Sequence, residues 1–212
     1  MREPVKRRRY TSAVREAQAA ATRRSILDAA HALFVADGYA ATTLQSIAAR
    51  AGVAVQTVFA VFGSKRDLLR QVIEQSIMGD ESIPVNERAD AIAIAAEPDP
   101  RRRANMDAAM SRAIVERVGP IVQVAREAAA SDPELARLLD TIKAARREEM
   151  IAAARVLAGP GERRPEREET AATLYVLYSP DVADMLMGDY GWSPARYERW
   201  LADMIYETVL RG

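Results

Sequence analysis

The chain has no cysteine. Disulfides, thiol nucleophiles and cysteine-built metal sites are thereby excluded together. A single histidine, His31, leaves no material for a histidine-ligated metal centre or a histidine-based triad. No metal, cofactor or catalytic site is therefore expected. No apolar run reaches the roughly 18 residues of a membrane span, and the charged N-terminus lacks the apolar stretch of a secretory signal. A cytoplasmic protein without a membrane partner is expected. With 49% hydrophobic residues the chain has ample material for a core, so global disorder is excluded as well.

A net charge of zero hides an asymmetry. Residues 1–70 hold 12 Lys and Arg against 5 Asp and Glu, an excess of +7; the remaining residues hold 18 against 25, a deficit of −7. A basic first third on an acidic remainder suits a nucleic-acid module carried by a body of another purpose. The first residues include Lys6, Arg7, Arg8 and Arg9, a run with nothing to bury. It reads as a solvated terminus that can also lie on phosphates or enter a minor groove.

Apolar spacing predicts helices throughout and no strand. Ile26, Ala29, Ala30, Leu33 and Phe34 form one stripe of a helix over about 15–36, with Gly38 at its end. Two short helices follow within Thr42–Lys65, joined by a turn at Ala51-Gly52-Val53. Leu44, Ile47 and Ala48 make the inner face of the first, and Val58, Phe59 and Phe62 are candidates for that of the second. Two such helices through a glycine turn make a helix-turn-helix, whose second helix enters a DNA groove. Ser64 and Asp67 suggest a capped fourth helix with Leu68, Leu69, Val72 and Ile73 inward. Domains of 1–75 and 76–212 are expected.

Past residue 75, Pro84 and Pro98–Pro100 mark breaks. Met106, Ala109, Met110, Ala113 and Ile114 predict a helix ending near Gly119-Pro120, and Ile121, Val124 and Ala128 the next. Asp132-Pro133 opens a long helix with Leu135, Leu138, Leu139 and Ile142, stopping at Gly159-Pro160-Gly161. That glycine pair lacks the Lys-Ser/Thr of a phosphate loop. Thr173, Leu174, Leu177 and Tyr178 start another apolar face, and Ser179-Pro180 restarts a helix. Ser193-Pro194 caps the last, with Tyr197, Trp200, Leu201, Met204 and Ile205 as its stripe. The fold class is all-α: a three-helix DNA-binding head and a C-terminal helical domain.

Thr42-Thr43, Ile47-Ala48, Gly52-Val53, Thr57, Phe59, Phe62, Ser64-Lys65 and Leu68 together closely resemble the signature of the TetR family of transcriptional regulators. The resemblance covers 26–69; beyond it only the helical layout is similar. It implies a homodimer on a double-stranded palindromic operator, its recognition helices in successive major grooves, and a repressor released by a small molecule in the C-terminal domain. By layout, 133–157 and 168–187 would form the dimer interface. The DNA residues it implies are Thr43, Gln45, Val55, Gln56, Thr57, Phe59 and Lys65. Thr43 would offer its N–H and hydroxyl to a phosphate. Gln56 would pair with adenine, while Val55 and Thr57 would meet a thymine methyl. Lys65 would clamp a phosphate. Phe59 stands where the family usually has a tyrosine, so that hydroxyl's phosphate contact is lost, and Ala54 replaces the usual Ser or Thr cap.

Met106, Met110, Met150, Tyr175, Tyr178 and Trp192, with Met185 and Met187, are candidates to line an apolar or amphipathic ligand's pocket in the body, though for most of them taken singly plain core is the preferred reading. Two other readings compete. One is a DNA-binding or architectural factor with no effector. The other is a hydrolase using Glu148 and Glu149, which is weak because adjacent helical residues point about 100° apart and cannot flank one substrate.

Overall fold

The computed structural model describes residues 5–79, 85–157 and 164–211, with side chains from Val14 onward in the first stretch and from Glu168 onward in the last. It holds ten α-helices and no strand among the described residues. The chain divides into two compact units, Met1–Gln75 and Ser76–Gly212. The breaks at Pro84 and at Gly159-Pro160-Gly161 lie outside the described residues, as do the side chains of Lys6, Arg7, Arg8 and Arg9. No single helix among the described residues is long and apolar enough to cross a membrane.

The first unit opens with α1 (Val5–Ala41), longer than the predicted 15–36. Its regular turns break at Gly38, whose φ of 78° and ψ of 167° suit a residue without a Cβ. The predicted stripe is buried at Ile26, Ala29, Ala30 and Phe34, joined by Leu27, while Leu33 is half-buried. Helices α2 (Leu44–Ala51), α3 (Val55–Phe62) and α4 (Lys65–Met78) follow. Leu44, Ile47 and Ala48 of α2, Val58 and Phe62 of α3, and Leu68, Leu69, Val72 and Ile73 of α4 are all buried. Phe59 is not: it is 52% exposed, so of the three candidates for the inner face of α3 only two are core.

In the second unit, α5 (Ala89–Ala96), α6 (Pro100–Ala129), α7 (Pro133–Leu157), α8 (Arg164–Leu177), α9 (Pro180–Asp184) and α10 (Pro194–Ile205) follow in turn. π-Helical turns over Met185–Asp189 and Tyr206–Leu210 extend the last two. Helix α6 is the centre, packed by α5, α7, α9 and α10. The starts are as the sequence predicts. Asp132 accepts from the Glu134 and Leu135 N–H groups, at 2.9 and 3.3 Å. Ser179 and Ser193 cap α9 and α10, each with proline in the first turn.

Two expectations are overturned. α6 does not end at Gly119-Pro120 but runs through Pro120 to Ala129. A proline inside a helix costs about 3 kcal/mol through its missing N–H and its clash one turn back; here the flanking Val118, Ile121 and Val122 are buried, which offsets that cost. The inner face of α6 is also not the Met106, Ala109, Met110, Ala113, Ile114 stripe, all of which is half-buried. The buried set is Ala104, Asp107, Ala108, Ser111, Val115 and Val118, rotated relative to it and containing two polar residues.

Ala104, Ala108 and Val115 form one cluster with Leu177, Ala183, Tyr197, Leu201, Ala202 and Ile205. Within it the Tyr197 side chain is fully buried and its hydroxyl finds no hydrogen-bond partner among the described residues. A buried polar group left unpaired costs about 1–3 kcal/mol. Tyr197→Phe is therefore expected to raise the urea midpoint of the full chain, by about 1 kcal/mol of stability; a lower midpoint would mean that the hydroxyl has a partner.

Candidate nucleic-acid interface

In the head, α2 and α3 meet at 107° through a turn centred on Gly52, whose φ of 70° and ψ of 31° are left-handed. There Gly52 and Val53 donate to the carbonyls of Ala49 and Ala48, closing α2 as a glycine C-terminal cap does. The Ser25 hydroxyl of α1 donates to the Ala51 carbonyl at 3.2 Å and holds the turn from behind. Arg23 lies 4.9 Å over the Phe62 ring and also bonds Gln71, tying α1 to α3 and α4.

The N-terminus of α2 is a reciprocal cap. The Thr43 hydroxyl accepts from the Ser46 N–H at 3.0 Å, and the Ser46 hydroxyl accepts from the Thr43 N–H at 3.1 Å. A serine takes the place that glutamate usually fills in such a box. Both groups that Thr43 was expected to turn to a phosphate are thus engaged at home. Neighbouring Thr42 is buried, and its hydroxyl donates to the Gly38 carbonyl at 2.8 Å. Gln45 is exposed on the first turn of α2.

Helix α3 starts with Ala54, which supplies no side-chain cap. Gln56 and Phe59 are exposed, Val55 and Thr57 half-buried, and Val58 and Phe62 face inward. The four predicted residues of α3, Val55, Gln56, Thr57 and Phe59, therefore all lie off its buried face. Lys65 has a different place from the one expected of it. Its ammonium donates to the Tyr39 and Thr42 carbonyls at 2.8 and 2.9 Å and sits 4.2 Å over the Tyr39 ring. Burial lowers its pKa from the usual lysine value. It fastens the end of α1 to the start of α4.

Residues 26–72 match the family model of the bacterial regulatory proteins, tetR family. The head belongs to the TetR family. No curated protein matches the chain. Among solved structures, the TetR-like fold extends over both units. NalD, the secondary repressor of the MexAB-OprM multidrug efflux pump in Pseudomonas aeruginosa, is 21% identical with a TM-score of 0.62, covering 91% of this chain and 98% of its own. A TetR-like transcriptional regulator from Rhodococcus sp. RHA1 is 18% identical with a TM-score of 0.57, over 88% and 94%. A protein from Saccharomonospora viridis, solved with choline, is 19% identical with a TM-score of 0.63, over 88% and 96%. At these identities the likeness is one of fold.

The six candidate ligand residues are spread over several elements of the second unit. Met106 and Met110 are half-buried on α6. Met150 and Tyr178 pack on the cluster of Ala154, Ala171 and Leu174. Tyr175 lies under the Arg146 guanidinium, 4.1 Å away, and its carbonyl accepts from the same arginine. Trp192 meets Trp200 edge-on at 6.1 Å, with Arg196 over its ring. In the head, an open groove of about 480 Å³ is lined by Ala21, Arg24, Ser25, Asp28, Ala29 and Arg50.

Tyr178 carries the most chemistry. Its hydroxyl donates to the buried Asp107 carboxylate and is also bonded to Ser111. Burial and the Asp107 charge push the phenol pKa well up. Burial raises the Asp107 carboxyl from 3.8 to about 6, against the opposing pull of the Tyr178 bond and the Arg103 charge. Asp107 and Ser111 were missed by sequence reasoning. Their signal was present as the i, i+4 set Asp107, Ser111 and Val115, and it was masked by the competing methionine stripe.

Two predictions follow from these placements. Lys65→Met should speed hydrogen exchange across residues 39–45, through loss of charge-assisted bonds that contribute about 1.5–3 kcal/mol each. Unchanged exchange with a shallower salt dependence of DNA binding would restore the phosphate role. For Asp107, folding stability is greatest with the carboxyl protonated and falls as pH rises from about 4 to about 6, because the folded pKa is the higher one. Urea titrations should show Asp107→Asn gaining on the native chain by up to about 3 kcal/mol between pH 4 and 7; parallel curves would remove the buried acid from the ledger.

Proposed function

We propose that the chain is a sequence-specific transcriptional repressor that binds a palindromic operator as a homodimer and is released by a small molecule held in its C-terminal unit. The observation that carries this reading is the helix-turn-helix itself. It is a matched TetR-family head whose second helix keeps Val58 and Phe62 inside and turns Gln56 and Phe59 outward. Two copies related by a dyad would place their α3 helices in successive major grooves, about 34–36 Å apart. Positive charge concentrated in the first third of the sequence favours the same polyanionic partner.

On α2 and α3 the proposed reading residues are Gln45, Val55, Gln56, Thr57 and Phe59, with Thr43 fixing the first helix of the pair by its cap. Gln56 is exposed and carries both a donor and an acceptor, the pair that an adenine edge answers. Lys65 contributes by shaping the head. An effector is supported by the fold, which is shared with NalD, a repressor, and with a protein solved with choline. Its polar anchor would be the buried Asp107–Tyr178 pair, with Met150 among the adjustable apolar groups beside it. A ligand releases DNA only if it binds one spacing of the two heads better than the other.

Selecting bound duplexes from random DNA with the full chain, then footprinting the winner, tests the reading directly. An inverted repeat protected on both half-sites is expected, and Gln56→Ala should relax preference at one base position per half-site at a cost of about 1–3 kcal/mol. Enrichment of no sequence at all would refute it.

A further inference from the structure

From Ala51 to Gly63 the chain carries no Asp, Glu, Lys or Arg. The whole of α3 and the turn before it are therefore uncharged. Gln56, Phe59 and Ala60, at i, i+3 and i+4, share one outward stripe opposite the buried Val58 and Phe62. Phe59 is 52% exposed and Val61, on its flank, 38%. A helix with this surface has clear limits as a reader of bases. The commonest specific contact, Arg or Lys on guanine, is unavailable to it, and so is a carboxylate accepting from cytosine. What remains is one amide, one threonine hydroxyl and an apolar patch.

An exposed phenyl ring and a valine gain by leaving water only if the groove offers apolar surface in return. On the base edges of the B-DNA major groove the apolar group is the thymine C5-methyl. We infer that α3 reads A·T pairs, with Phe59 seated on the 5-methyl group of a thymine in each half-site and the Gln56 amide on an adjacent adenine. This assignment rests on the head's binding DNA as proposed above, and it names the base chemistry the head selects. The ring lacks a hydroxyl to reach a phosphate, so its contribution is carried by the methyl and is nearly independent of salt.

The test uses the selected operator resynthesised with deoxyuridine only at the one thymidine per half-site whose selection Phe59→Ala relaxes, which deletes that methyl and keeps every hydrogen-bonding edge. Each methyl buried under Phe59 is worth about four-fold in affinity, the factor equivalent to about 0.8 kcal/mol per buried carbon. A dyad with one such thymine per half-site should therefore bind the deoxyuridine duplex about sixteen-fold more weakly. Phe59→Ala should bind the thymidine and deoxyuridine duplexes alike, while Phe59→Leu keeps most of the difference. Equal affinity of the native chain for both duplexes would overturn the inference. So would a methyl effect that survives in Phe59→Ala, or guanine or cytosine at the positions under α3. If deoxyuridine has no effect and Phe59→Ala instead changes the sedimentation of the free chain, the patch is a protein contact and the inference falls. Failure to enrich any sequence would sink the DNA-binding reading first, and this outcome is distinct from a defined operator indifferent to its methyl groups.

Discussion

Eight-residue helices do not hold themselves together in water. Closing the first turn is costly, and isolated helices shorter than about 12–15 residues are marginal even with favourable sequences. Both α2 and α3 are eight residues long, so the reading surface depends on what surrounds it. That support comes from burial of Leu44, Ile47, Val58 and Phe62 among the apolar residues of α1 and α4. It also comes from a small set of polar ties: the Thr43–Ser46 cap, the Ser25 bond to the turn, and the Lys65 ammonium on two carbonyls. Each tie answers a backbone group that a helix end would otherwise leave open. The head is thus a frame built to display one short helix.

The body follows a different logic. Its central α6 buries an aspartate and a serine on the same face as alanine and valine, and the face opposite them brings a tyrosine whose hydroxyl can satisfy both. On α10, Tyr197 adds a second buried hydroxyl, this one with no partner among the described residues. A purely apolar packing of this core would avoid the desolvation that pushes Asp107 to about 6. Polarity has been placed where apolar side chains would pack at lower cost, and such placements mark sites of specificity more often than sites of stability.

Most of the fold was legible because its signals are local. Caps at Asp132, Ser179 and Ser193, the glycine turn, and strong stripes in α1, α4 and α10 each depend on a few neighbouring residues. The α6 register was not legible in the same way. Two overlapping stripes compete there, and the one with methionines looks more apolar than the one holding Asp107 and Ser111. Only the tyrosine brought from α8 makes the polar face a core face. Pro120 misled for a related reason, since tertiary burial on either side overrides a local helix breaker. At the site, the outward turn of Gln56 follows from spacing, whereas that of Phe59, also a candidate for the inner face, and the inward fold of Lys65 do not. A lysine after a recognition helix reads as a phosphate ligand until Tyr39 and Thr42 are seen beside it.

The absence of a side chain cap at Ala54 has an energetic consequence. The first turn of α3 is closed by packing and by the Thr57-to-Ala54 backbone bond, with no side-chain oxygen to anchor it. The start of α3 thus lacks the side-chain anchor that Thr43 gives α2. A duplex that seats this helix also orders it, so part of the binding enthalpy is helix formation. On the proposed reading, part of the free energy of operator binding is therefore spent in ordering that first turn, a cost that a Ser or Thr at position 54 would lower.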